Sequence, residues 1–223
     1  MAGQNGWSEF FSTGDLQVNA GAALAGTKGA IGSYAGWNTA HKPTGASVNL
    51  ATDDVTLYSA MLLKYTGDEG AWFFAASTGG NNGAKLESRL KTSGIQFAGL
   101  NGYDPGSPSP LVNAWNADQL VAAVFKIATS GTDLVMSIGV FDVAGGLPEE
   151  GSLTYDFVRT YDRSTASGPY THVAFGPIND ATMGDNLVVT DAWGDVQSAM
   201  IPEPGTMALV LLGLGGLVLR RRR

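Results

Sequence analysis

The chain has 223 residues, of which 31 are glycine and none is cysteine; 15% are charged, and the formal net charge is −7. The missing cysteine excludes a disulfide, a thiolate metal site and a cysteine nucleophile. Residues 1–200 hold 9 basic and 19 acidic residues, a charge of −10, which argues against nucleic acid or an anionic membrane as partner of that part.

By length, residues 1–200 are one domain, and the pattern along them is of short β-rich runs separated by Gly, Asn, Asp and Pro clusters. A first short strand is expected over 6–11, and brief strands among loops over 14–43. Val55 to Lys64 is a strong strand bounded by Asp53-Asp54 and Gly67. Ala71 to Ala76 is the next, followed by a turn over 79–83. Lys85 to Leu90 and Gly94 to Leu100 flank a turn at Thr92-Ser93. Residues 104–110 are a Pro-rich loop. Gln119 to Thr129 and Leu134 to Asp142 form a hairpin across Ser130-Gly131-Thr132-Asp133, with a short helix capped by Asn116 as the alternative at its start. Strands over 153–159, 172–176 and 187–191 complete the body. Strands at this spacing, with almost no helical period, predict a sandwich or barrel.

Residues 201–223 are different in kind. Pro202-Glu203-Pro204 is followed by an uncharged apolar run, Met207 to Leu219, and then by Arg220, Arg221, Arg222 and Arg223. As a helix over 206–219 the run spans about 20 Å. That is short against a hydrocarbon core of about 30 Å, but arginine side chains snorkel to the interface. Four arginines cannot be buried unpaired, and the positive-inside rule keeps them cytoplasmic with residues 1–201 outside. The two prolines keep the motif extended and accessible.

This order of motif, apolar helix and basic end resembles the PEP-CTERM sorting signal of Gram-negative, exopolysaccharide-producing bacteria. The resemblance implies an exosortase as partner, a membrane-embedded cysteine transpeptidase acting near Pro202, Glu203 and Pro204, with Arg220 to Arg223 as the cytoplasmic stop. It also implies membrane anchoring before processing, then a cell-surface or extracellular location. Such proteins begin with a secretory signal. Met1 to Trp7 has neither its basic nor its apolar region, so either the natural start lies upstream or the chain is trimmed.

The strands of the body resemble the concanavalin A-like lectin/glucanase jelly roll. Val121 to Ile127 followed by Leu134 to Val140 looks like its central hairpin, and Asp185 to Val196 like its last strand and turn. The expected fold class is therefore an all-β jelly-roll sandwich followed by a C-terminal transmembrane helix. Glucanases of this type carry acids two apart on one strand, where alternation places both on one sheet face. No such pattern is present. Glu149-Glu150 are adjacent and read as a solvated turn. The function expected is a non-catalytic exported surface or matrix protein that binds glycan or acts structurally, with an anchored polysaccharide-cleaving enzyme of atypical site as the alternative.

Trp37 and Trp115, each beside an asparagine in loop-like sequence, are the candidate glycan contacts. Trp7, Trp72 and Trp193 read as core. No cofactor is expected. Asp53, Asp54, Asp180 and Asp185 sit near strand ends and could offer oxygens to Ca²⁺, though none falls in a calcium-loop pattern. His41 and His172, the only histidines, read as ordinary sheet residues rather than a metal pair.

Overall fold

The computed structural model describes residues 8–12, 16–19, 30–33, 38–65, 71–76, 85–91, 94–100, 116, 119–166, 169–177 and 182–200, with side chains described over 47–64, 116, 119–166, 169–172 and 184–200. Within these residues the strands are β1 (Ser8–Ser12), β2 (Leu16–Asn19), β3 (Ala30–Ser33), β4 (Asn38–Val48), β5 (Thr56–Tyr65), β6 (Ala71–Ala76) and β7 (Lys85–Lys91). They continue as β8 (Gly94–Leu100), β9 (Leu120–Ser130), β10 (Asp133–Asp142), β11 (Phe157–Asp162), β12 (Tyr170–Pro177) and β13 (Thr182–Thr190). One short helix, α1 (Trp193–Ala199), follows.

Two sheets form. One has six strands in the order β1-β4-β12-β6-β7-β8, the other seven in the order β11-β10-β9-β5-β13-β3-β2. Neighbouring strands in the recorded pairings run antiparallel. Alternation decides which side chains meet the opposite sheet. Met61 and Leu63 of β5, Val121, Ala123, Phe125 and Ile127 of β9, and Leu134 to Val140 at every second position of β10 form one cluster with Tyr170 of β12; Val48 of β4 packs against it. This is the expected sandwich core.

The other face of the seven-stranded sheet is apolar as well. Tyr58, Ala60 and Leu62 of β5, Ala122 and Val124 of β9 and Phe141 of β10 form a second cluster, closed by Val143, Leu147, Val196 and Met200. A sandwich usually leaves its outer faces wet; here the segment 143–155 and α1 cover the middle of one. The run Val121-Ala-Ala-Val-Phe125 is buried at every position because both its faces are covered.

The β9–β10 hairpin closes through Gly131 and Thr132, with Ser130 opposite Asp133. Gly131 has φ +60, the left-handed conformation that a two-residue hairpin turn takes at its first position.

Three expectations are corrected. Residues 153–159 are not all strand: pairing with β10 begins at Phe157. Before it, the Tyr155 ring meets the Phe141 ring edge-on at 5.7 Å, and the buried Asp156 carboxylate accepts the Val140 amide at 2.8 Å, ending the ladder. The stretch 14–43 includes most of a long strand, β4, which runs to Val48. Pro43 lies beyond the part of β4 that pairs with β1, Asn38 to His41, and stands opposite His172 of β12, next to a register shift in that pairing. Finally, Asp185 to Val196 is not strand and turn throughout. The strand ends at Thr190 and a helix begins at Trp193.

Candidate functional site: the C-terminal clamp, a buried carboxylate and an inter-sheet cavity

α1 has only seven residues and no side-chain cap at Ala192. Isolated helices of that length do not hold in water, so tertiary contacts must hold this one. Val196 and Met200, four apart, both have 0% exposure and fill the second apolar cluster. Each such burial stabilises by about 1.5–3 kcal/mol. The indole N–H of Trp193 donates to the Pro148 carbonyl at 3.0 Å, and the Gln197 amide donates to the Leu147 carbonyl at 3.0 Å. At the start, the Thr190 hydroxyl accepts the Ala192 amide and donates to Asp195.

The far end is held by a strand defect. β13 shifts register between Asp185 and Val188, and within the bulge Asn186 has φ +52. The buried Asp185 carboxylate accepts the Asn186 amide at 2.9 Å. The Asn186 side chain then donates to the carbonyl of Ala199, the last helical residue, at 2.9 Å. α1 is thus fastened at both ends, with two residues, Met200 and Ile201, between it and Pro202.

Beside α1 lies a polar group on the same sheet face. Tyr58 of β5 and Lys126 of β9 stand directly opposite each other. Both donate to the Glu150 carboxylate, the Tyr58 hydroxyl at 2.7 Å and the Lys126 ammonium in a tight ion pair. Trp193 lies against Tyr58 with ring centroids 5.5 Å apart. Burial works to raise the Glu150 pKa, but the hydrogen bonds from Lys126 and Tyr58 and the lysine charge outweigh it, and the net shift is downward. Tyr58 is shifted upward, first by burial and then by the Glu150 hydrogen bond. The solvated-turn reading therefore holds for exposed Glu149 and is corrected for Glu150, which closes over a cross-strand pair whose members lie 24 and 92 residues earlier in the chain.

A cavity of about 510 Å³ opens between the sheets, lined by Leu50, Leu57, Ile127 and Val189 with Ser59, Tyr170 and His172. Ser59 Oγ and the Tyr170 hydroxyl are buried and, among the described residues, have no hydrogen-bond partner. Burial pushes the Tyr170 phenol up to about 12. Asp54, Asp191, Thr56 and Thr190 also line it, so the wall mixes aliphatic surface with carboxylates and hydroxyls.

Trp37 and Trp115 lie outside the described residues, as do Asp180 and the whole tail from Ile201 to Arg223. Asp53, Asp54 and Asp185 each have partners within the chain. Asp53 accepts the Asn49 amide, Asp54 the Arg163 guanidinium and Asp185 the Asn186 amide. Among the described residues no group of three or more His, Asp or Glu side chains is placed to hold a metal ion. Nor is any helix among them long and apolar enough to cross a membrane.

Sequence reasoning missed Arg163. Its side chain is buried and donates to the carbonyls of Leu50 at 2.9 Å, Asp53 at 2.7 Å and Gly131 at 3.0 Å, as well as to Asp54. Nothing in its local sequence, Tyr-Asp-Arg-Ser-Thr, marks it as buried.

Residues 201–223 match the family described as the PEP-CTERM protein-sorting motif. The tail is a PEP-CTERM sorting motif. It marks a bacterial protein sorted to the surface or secreted. No curated protein matches the chain. Among solved structures, the carbohydrate recognition domain of Emp46p is similar at a TM-score of 0.51 with 8% identity, over 84% of this chain and 88% of that one. Lectin II from Ulex europaeus has a TM-score of 0.47 and 12% identity, over 85% and 92% of the two chains. The carbohydrate-binding module CBM66 from Bacillus subtilis has a TM-score of 0.42 and 11% identity, over 85% and 98%. The likeness to the Emp46p domain establishes a lectin-like jelly-roll fold for the body that carries the PEP-CTERM tail.

Proposed function

We propose that this is a non-catalytic surface or extracellular-matrix protein of a Gram-negative envelope, processed by an exosortase and binding exopolysaccharide through its jelly-roll body. The observation that carries the reading is the complete PEP-CTERM tail joined to a body whose cores are already closed at Met200. Pro202, Glu203 and Pro204 are the recognition site. The apolar helix over 206–219 holds the tail in the membrane, and Arg220 to Arg223 stop it at the cytoplasmic side. Processing breaks a peptide bond near the motif and passes the body's new acyl end to water or an amine acceptor. Trp37 and Trp115 are the glycan contacts, with sugar rings stacked on their faces.

The absence of a carboxylate pair in the sequence supports a binding role over cleavage. So does Glu150, whose carboxylate is engaged within the chain by the Tyr58 hydroxyl and the Lys126 ammonium. The reading is tested by the intact mass of the mature protein in cells with and without an exosortase. Loss of Arg220 to Arg223 only where the exosortase is present is the expected result; an intact Arg223 in both overturns it.

A further inference from the structure

The folded body and the sorting motif almost touch in sequence. Met200 has 0% exposure, packed in the second apolar cluster. Pro202 is two residues on, so its Cα lies within about 7 Å of the Met200 Cα whatever path the chain takes. The residues just before the motif are therefore not free to extend. Ser198 and Ala199 are helical, and Ser198 donates to the Gly194 carbonyl at 2.8 Å. The Ala199 carbonyl is held by Asn186.

An enzyme that cuts a peptide chain grips residues on both sides of the bond and needs them out of regular structure, which is why nicking concentrates at exposed segments. Here the upstream side can be gripped only when the last turn of α1 unwinds and Met200 leaves the sheet. Such an opening is a local unfolding event with its own free energy.

We propose that docking of α1 restrains processing of the tail: Asn186 and Met200 hold the upstream side of the Pro-Glu-Pro motif against the seven-stranded sheet, and an exosortase acts in proportion to the time that α1 is released. This inference rests on the proposed function and adds a control to it. Asn186 and Met200 are positioning residues; they touch neither the enzyme's thiol nor the bond it breaks. The contacts that hold α1 come from residues 147–148, from the β13 bulge and from the faces of β5 and β9, so they exist together only in the completed body.

The test compares rates of tail loss in an exosortase-containing host, by pulse–chase with intact-mass detection. One variant carries a flexible Gly/Ser insert of about ten residues between Met200 and Ile201, which frees the upstream side and gives a reach of roughly 17 Å. It should lose its tail at least about tenfold faster, which by the tenfold-per-1.4 kcal/mol relation reports the opening that the natural chain requires. Thermal unfolding of the body should be unchanged, a result that a purely structural effect of the insert would not give. The second variant, Asn186→Gly, keeps the left-handed backbone but deletes the amide, and should speed tail loss several-fold.

An insert variant processed no faster than the natural chain overturns the restraint while leaving exosortase processing intact. Loss of the tail from neither chain, with the enzyme present, overturns the proposed function and this inference together. Loss from the insert variant alone supports the restraint in its strongest form.

Discussion

The Arg163 guanidinium donates to Asp54 Oδ1 at 2.5 Å, across 109 positions of sequence. The carboxylate is mostly exposed while the arginine side chain is only 8% exposed, so the charge pair sits at the mouth of a bundle of carbonyl bonds rather than at its centre. The guanidinium fork spans the 50–54 connection and the β9–β10 turn, and the Arg163 amide adds a bond to the Thr132 carbonyl at 2.9 Å.

Replacing Arg163 by alanine leaves the Leu50, Asp53 and Gly131 carbonyls without this donor and should cost about 2–4 kcal/mol. Arg163→Lys should recover only part, since one ammonium cannot reproduce the planar fork. Urea unfolding of the two variants checks the order; a lysine variant as stable as the natural chain would refute the role given to the fork.

Glu150 sets an acid-side dependence. Its folded pKa is lowered, so the stabilisation it gives is complete above the unfolded carboxylate value of about 4.3 and is lost as pH falls through the folded pKa. Glu150→Gln should therefore be less stable than the natural protein at neutral pH, by about 1 kcal/mol. The gap should begin to narrow as pH falls below the unfolded value and close once pH is below the lowered folded one. Denaturation midpoints measured across pH 3–7 test this, and a gap independent of pH would contradict it.

The unpartnered hydroxyls in the cavity wall predict the opposite sign. Tyr170→Phe and Ser59→Ala remove buried polar atoms that lack partners, and each should be neutral or stabilising by up to about 1 kcal/mol. Thermal melts give the answer directly. A clear loss of stability in either variant would mean that the hydroxyl is bonded in solution.

Gly139 lies beneath the Phe141 ring, two positions along the same face of β10, and a Cβ added there would stand 2.4 Å from the ring. Gly139→Ala must displace Phe141 from its edge-on contact with Tyr155, at a cost of about 1–3 kcal/mol. Pairing it with Phe141→Leu should restore part of the loss; strict additivity in the double-mutant cycle would disprove the coupling.

If Trp37 and Trp115 carry sugar rings, Trp37→Ala and Trp115→Ala should each weaken binding to the host's exopolysaccharide by about 0.5–1.5 kcal/mol without altering the melting temperature. Affinity electrophoresis in exopolysaccharide gels measures it. Unchanged mobility in both variants would remove these residues from the proposed site.

Much of the sheet was readable from sequence because glycine and asparagine punctuate it. β6 and β8 have the bounds expected of them, and the β9–β10 hairpin turns at Gly131 as expected. β4 was obscured because Asn38 to Val48 contains a proline, a glycine and few β-branched residues, so tertiary pairing rather than propensity makes it a strand. α1 was obscured for a related reason. Trp193, Val196 and Met200 have helical spacing, but Gly194 and the brevity of the segment hide it until the apolar outer face of β5 and β9 is known to need cover. Glu150 and Arg163 were invisible because each is placed by partners 24 to 113 residues away, and the sequence between holds no trace of that meeting. The sorting motif over 201–223 was legible because it is a linear pattern of residues that needs no fold to be read.

The double cover of the β5–β9 face also fixes an order of assembly. Domains are built from the N-terminus during synthesis, and the residues that seal this face are the last of the body. Until Met200 is available, Leu62, Ala122 and Val124 have no helix over them, and a chain halted at Thr190 leaves that face covered only by the segment 143–155. Truncation just upstream of α1 should therefore yield an aggregating product, whereas truncation just downstream of Met200 should not. The body therefore reaches its finished state only when its last described residue, Met200, is in place.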